Sequence, residues 1–206
     1  MSHATQPRRE AKKRDKRERI RAAAAELFRA RGYEATTTRE IAERAGVATG
    51  TLFLYARHKD EALALVFGDD VDEALASCTR SRPARSRFVS GLCRRLSGLY
   101  ALYARDPELA LRFLRRLPSL DDAEKVTHDA RNERFIAVIR DEVARAVASG
   151  ELRSDLDVDL ATRTTFAVVR VLIFGWLATG PRITVEAGTR ELSRTLRLLV
   201  AGMGAG

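Results

Sequence analysis

The sequence reads as an all-α protein of about nine helices, a three-helix head with a helix-turn-helix followed by a larger helical module. Three observations predict this class. Ala, Leu, Arg and Glu dominate, while alternating β-branched runs are few. Only five prolines and thirteen glycines interrupt 206 residues, which leaves room for long helices. Apolar residues recur at helical spacing in one segment after another.

Residues 1–15 are polar and basic and read as a flexible arm. The first helix is expected from about Lys16 to Arg31, with Ile20, Ala24, Leu27 and Phe28 on one face and Gly32 as its stop. Thr37-Thr38-Arg39-Glu40 has the form of a capping box, so a second helix should span about 38–45. Gly46-Val47 makes the turn and a third helix follows at about 49–56. Lys59-Asp60-Glu61 opens a fourth, to about Thr79, buried along Leu63, Val66, Phe67, Val71 and Leu75. Ser81 to Ser86, with Pro83, reads as a loop. Asp106-Pro107-Glu108 is a helix start with cap, first-position proline and first-turn acid. Pro118 breaks the chain, and the next helix runs from near Asp121 to Gly150. Another is expected from Asp157 to Gly180-Pro181, and the last from about Thr184 to Met203 along Leu192, Leu196, Leu199 and Met203.

Charge is placed unevenly. Residues 1–60 hold 15 Lys/Arg against 8 Asp/Glu, whereas the remaining 146 hold 22 against 20. A polyanion partner for the N-terminal quarter follows. The arm alone, residues 8–21, carries nine cations against three acids. It can raise affinity for a phosphate backbone without reading sequence. The two cysteines, Cys78 and Cys93, make no disulfide framework, and nothing near either marks it as activated. The N-terminus lacks a signal segment's apolar run. The longest apolar stretch, Phe166 to Ala178, is short for a bilayer and contains Arg170. A cytoplasmic protein without a membrane role is expected.

Two short helices joined by a turn at Gly46 are the sequence form of a helix-turn-helix, although the pattern alone fits a plain helical hairpin equally well. The outward residues of the second, Thr49, Gly50, Thr51, Phe53, Leu54 and Tyr55, suit a major groove. Hydroxyls reach phosphates or base edges, while methyls and rings pack on thymine methyl groups. Gly50 allows close backbone approach.

The run from Thr37 through Tyr55, followed by Lys59-Asp60-Glu61-Ala62-Leu63, resembles the tetracycline-repressor (TetR) family, as does Ala24-Ala25-Glu26-Leu27-Phe28 with Gly32-Tyr33. The resemblance is specific over about residues 16–64. Beyond them only the helix count and Gly150-Glu151-Leu152-Arg153 with Asp157 are similar. It implies phosphate contacts from Thr37 and Thr38, a base contact from Arg39, and a groove-facing start at Thr49, Gly50 and Thr51. Phe53 stands where the family usually has Tyr, and Tyr55 where it has His or Tyr. Lys59 matches a lysine that anchors a phosphate. Phe53 lacks the phenolic hydroxyl, and Ala56 replaces a bulkier apolar residue. Ala48 and His58 stand where Ser or Asn caps are frequent, weakening each helix start by roughly 1 kcal/mol.

The same resemblance divides the chain into the arm (1–15), a DNA-binding head (16–59) and an effector and dimerisation module (60–206). The last two long helices resemble the pair that dimerises such proteins. A homodimer also suits a palindromic double-stranded DNA operator, because one recognition helix reads few bases. Tyr100, Tyr103, Phe113, Phe135, Phe174 and Trp176 lie on helices that line effector pockets in the family. Of these, Tyr103, Phe113, Phe135, Phe174 and Trp176 are the candidate lining, and they favour a hydrophobic small-molecule effector over an anionic metabolite. Aromatic residues at this spacing also serve as plain core.

No cofactor, metal site or catalytic residue is expected. There is no phosphate loop, no zinc-spaced Cys/His set and no serine elbow, and His3, His58 and His128 are scattered. A sequence-indifferent architectural DNA binder fits the basic arm but not the Thr-rich helix or the neutral module. An activator on the same fold stays open.

Overall fold

The computed structural model describes residues 5–80, 86–116, 122–180 and 183–203. Among them run nine α-helices: α1 (Thr5–Arg31), α2 (Thr38–Arg44), α3 (Thr49–Leu52), α4 (Lys59–Arg80), α5 (Phe88–Ala104), α6 (Pro107–Arg115), α7 (Asp122–Ala148), α8 (Val158–Ala178) and α9 (Val185–Met203). They belong to two compact units, Met1–Asp70 and Val71–Gly206. The division falls within α4. Residues 81–85, Pro118, Asp121 and Pro181, at which breaks or a helix start were expected, lie outside the described residues, as do residues 1–4 of the arm.

In the first unit α1 starts eleven residues before the expected Lys16. The segment from Arg8 to Asp15 has no glycine and is rich in Arg, Lys, Ala and Glu, all strong helix formers, so it continues the helix outward. The C-terminal half of α1 buries Ile20, Ala24, Leu27 and Phe28, and the larger of these contribute about 2 kcal/mol each. Phe28 meets the ring of Tyr33 at 5.2 Å. Thr37 caps α2: its Oγ1 accepts from Glu40 N at 3.2 Å, and Glu40 Oε2 accepts from Thr37 N at 2.9 Å. Ile41 and Ala42 face inward.

The third helix ends at Leu52, four residues short of expectation. Ala48 offers no side-chain cap, and the chain beyond Leu52 tightens, with Leu54 N donating to Thr51 O and Tyr55 N to Leu52 O. Ala56 is fully buried, so the small residue fits a closed site. The start of α4 is stronger than a histidine in place of Ser or Asn suggests. His58 Nδ1 accepts from Glu61 N at 3.3 Å, while the Glu61 carboxylate accepts from Arg57 N. The two bonds reproduce the logic of a capping box with an imidazole acceptor.

In the second unit α5 packs on α7 and α9, and α8 packs on α6, α7 and α9. Leu92, Leu96 and Leu99 of α5, Ile139 and Val143 of α7, Val169 of α8 and Leu192 and Leu196 of α9 form the core. Leu199 is half-buried; the side chain of Met203 is not among those described. Arg95 and Glu142 form an ion pair at 3.1 Å with both side chains almost wholly buried. Arg95 Nε also donates to the carbonyl of Cys78, whose thiol donates to the carbonyl of Arg95. Gly188 lets α9 approach α5 and α8: a Cβ there would meet the Tyr100 ring at 2.7 Å and Trp176 at 2.9 Å. By length and composition alone α8 is apolar enough to cross a membrane. Within the unit it buries Val169, Ile173 and Leu177, and it carries Asp159, Arg163 and Arg170.

Candidate nucleic-acid interface

The head presents α2 and α3 with their outer residues uncovered. Thr49 and Gly50 are exposed, Thr51 and Tyr55 half-buried, and Leu52 anchors the turn from inside. Phe53 is 44% exposed and Leu54 82%. A helical hairpin serving only as core would cover such side chains. A Cβ on Gly50 would meet nothing within 4 Å, so nothing among the described residues requires glycine there.

Arg19, which the sequence reading counted only as arm charge, fixes the turn between α2 and α3. Its guanidinium donates to the carbonyls of Ala45 at 2.5 Å and Gly46 at 2.8 Å. A cation at the end of α2 is favoured by the helix dipole. Gly46 has φ +61, and a Cβ there would stand 2.7 Å from Arg19 Nη2.

Other candidates are engaged within the head. The Thr37 hydroxyl also donates to Glu40 Oε2 at 2.9 Å. The hydrogen bond from the Thr37 backbone, that from its hydroxyl, and Arg31 together hold the Glu40 carboxyl below the ordinary 4.5. Lys59 Nζ donates to the carbonyls of Tyr33 at 2.8 Å and Glu34 at 3.1 Å, and stands 4.3 Å from the centre of the Tyr33 ring. The Tyr33 hydroxyl donates to Asp60. Thr38 is half-buried.

The cations sort into two groups. Arg17 pairs with Asp69, Arg21 with Glu18 and Asp70, Arg31 with Glu40, Arg44 with Glu26 and Arg57 with Glu61. Arg39 is exposed and has no ion-pair partner among the described residues, and the same holds for Arg8, Arg9, Lys12, Lys13, Arg14 and Lys16. At 3.6 residues per turn, positions 8, 9, 12, 13 and 16 occupy an arc of about 140° on α1. Five of these six cations therefore share one helical face, Arg14 lying off it, and none of them is ion-paired among the described residues.

In the second unit the five candidate lining residues fall into separate groups. Phe135, buried on α7, meets the edge of Phe166 at 5.4 Å. Phe166 lies under Arg170, 5.6 Å from its guanidinium carbon. Tyr103 is buried close enough to feel the charge of Arg170; desolvation nonetheless drives its hydroxyl pKa upward. Phe113 and Phe174 are half-buried on α6 and α8, which pack together. Trp176 stands elsewhere, its ring tilted against that of Tyr100 with centres 4.8 Å apart and its Nε1 donating to Thr184 O at 3.1 Å. Its contacts are those of a core residue. Sequence reading passed over Phe166 and Asn132, and used Arg170 only against a membrane span.

A short helix with uncovered apolar tips, in a head that also carries unpaired cations on an all-α frame, is the form of a helix-turn-helix DNA-binding regulator. Residues 20–65 match the sequence profile of the bacterial regulatory proteins of the tetR family. The chain is 25% identical to the fatty acid metabolism regulator protein of Bacillus subtilis, over 93% of this chain and 97% of that one. It is 28% identical to the HTH-type transcriptional repressor KstR2 of Mycolicibacterium smegmatis, over 88% and 89%. Among solved structures it is similar to Thermus thermophilus FadR, a TetR-family transcriptional repressor in complex with lauroyl-CoA. That likeness has 29% identity and a TM-score of 0.64, covering 92% of this chain and 96% of that one. Over residues 20–65 the chain carries a tetR-type DNA-binding domain, and along most of its length it is similar to transcriptional regulators.

Proposed function

We propose that the protein is a homodimeric repressor that holds a palindromic operator when effector-free and leaves it when an acyl-chain effector, an acyl-CoA or its fatty acid, binds the C-terminal module. The exposure of Phe53 and Leu54 beside unpaired Arg39 carries the DNA half of this reading. Arg39 reads a base edge, and Thr38, Thr49, Gly50, Thr51, Phe53 and Tyr55 meet the groove wall or its phosphates. Thr37 and Lys59 reach phosphates by sharing or exchanging the bonds they make in the free head. The cationic face of α1 adds affinity that does not depend on sequence.

The dimer reading rests on α8. Leu160, Thr164, Ala167, Val171, Gly175 and Ala178 are exposed at spacings of four, three, four, four and three. That is the stripe of a helix seam, with Leu160 55% and Val171 70% exposed. A second copy would cover it. The effector class comes from the fatty-acid regulator of Bacillus subtilis and from the lauroyl-CoA in the Thermus thermophilus repressor. Tyr103, Phe113, Phe135 and Phe174 would line the site, with Trp176 supporting it from the core. In this division residues 16–59 bind DNA and 60–206 take effector and partner. The protein works in the cytoplasm and catalyses nothing.

Effector binding shifts a two-state equilibrium through α4, which is common to both units, and lowers DNA affinity by the differential binding energy, about 1–3 kcal/mol. Fluorescence anisotropy on the duplex upstream of the protein's own gene, beside a shuffled duplex, tests this. The expected result is a preference of about a thousandfold at physiological salt, lost on adding lauroyl-CoA. Equal binding to both duplexes would favour an architectural binder.

A further inference from the structure

Arg170 is the charged residue in the apolar half of α8, and none of the described residues gives it a counter-ion. Asn132 Oδ1 accepts from its Nη1 at 3.1 Å, and Phe166 lies beneath it. Among the described residues it makes no ion pair. Other arginines buried or half-buried in the same unit do: Arg95 with Glu142, Arg116 with Glu124 and Arg131 with Asp72. Taking a guanidinium out of water is costly unless an anion meets it. Here desolvation pulls its pKa down. The Asn132 amide is itself held 3.2 Å from the His128 ring, so the guanidinium is braced by a neutral side chain. Five N–H donors in a rigid fork suit carboxylate or phosphate oxygens.

Resting on the acyl-chain reading above, we propose that Arg170 is the head-group subsite of the effector site: it pairs with the anionic oxygens of an amphiphile whose chain runs along Phe166 and Phe135. The effector is then an anionic amphiphile and not a neutral hydrophobe. A carboxylate and a coenzyme A phosphate offer the same oxygen chemistry.

The test is direct binding of laurate, lauroyl-CoA and 1-dodecanol to the full-length protein by titration calorimetry. The native protein should bind at least one anion tenfold or more tightly than dodecanol. Whether laurate or lauroyl-CoA shows the preference identifies the source of the oxygens. In Arg170→Gln the preference should fall to about one, with dodecanol affinity unchanged. Asn132→Asp should do the same without loss of thermal stability, because it supplies the missing counter-ion 3.1 Å from the guanidinium. A purely structural arginine would leave the anion-to-alcohol ratio untouched in Asn132→Asp, and that result overturns the assignment. Equal binding of anions and alcohol by the native protein overturns it too, while sparing the acyl-chain reading. Failure of all three to bind would overturn both.

Discussion

The ammonium of Lys59 donates to the carbonyl oxygen of Tyr33 across 26 residues of sequence, at 2.8 Å, and lies over that residue's ring. In the free protein this lysine therefore braces the connection between α1 and α2. A charge-assisted bond in a half-exposed place, with a cation–π contact, stabilises by about 1–2 kcal/mol. Lys59→Ala should lower the urea midpoint of the protein accordingly. It should also weaken specific and random DNA alike. If Lys59 reaches a phosphate in the complex, the slope of log affinity against log salt becomes shallower by about 0.9. An unchanged slope would assign the whole DNA effect to the loosened loop.

Gly50 separates stability from recognition. Because an added Cβ meets nothing within 4 Å, Gly50→Ala should leave the free protein as stable or up to about 1 kcal/mol more stable, through helix propensity. In the proposed interface the same methyl would stand where the backbone approaches DNA, so operator affinity should fall at least tenfold. Thermal melts and anisotropy on one preparation check both halves. A variant that binds the operator as tightly as native protein would remove Gly50 from the interface.

Val171 tests the seam on α8. It is 70% exposed in the single chain, so Val171→Glu should cost the protomer little. Placed opposite its own copy across a two-fold axis, the charge would be repelled and desolvated. Sedimentation should then show a monomer with native helicity, and operator affinity should fall by more than a hundredfold. A native-sized dimer would move the interface elsewhere.

Acid should loosen the head through Glu61. Burial raises the pKa of this carboxyl, but the side chain and backbone N–H of Arg57, with the charges of Arg57 and His58, outweigh burial and hold it below the ordinary 4.5. A folded-state value below the unfolded one means stability that is present above 4.5 and lost as pH falls through the folded value. Glu61→Gln should flatten the pH dependence of the melting temperature below about pH 5, measured by circular dichroism. An equally steep profile would place the acid sensitivity on other carboxylates.

Local chemistry was the legible part of this chain. The capping box at Thr37 and Glu40 and the acidic start at Lys59-Asp60-Glu61 set helix boundaries to within a residue of those observed, because the partners are three or four positions apart. Asp106 and Asp157 behave likewise, each accepting from the backbone N–H three residues on. Arg19 was illegible because its acceptors lie 26 and 27 residues away, and no spacing rule joins them. The length of α3 was not legible because apolar periodicity continues through Phe53 to Ala56, while the backbone beyond Leu52 turns to bonds three residues apart. Trp176 resembled pocket lining by residue type, yet its Tyr100 and Thr184 contacts exist only once α5, α8 and α9 have packed. Arg170 was visible as a charge in an apolar run, but its lack of a counter-ion belongs to tertiary structure.

Leu54, exposed almost as if unfolded, and Thr49 and Gly50 beside it contribute little to the packing of the head, which depends on Leu52 and Ala56 from the same short segment. Selection on foldability and selection on target sequence therefore act on different residues a single position apart. On the proposed interface, substitutions at the outer positions would redirect the repressor to a new set of genes without first lowering its stability. A head built this way is free to diverge rapidly after gene duplication while its scaffold stays recognisable.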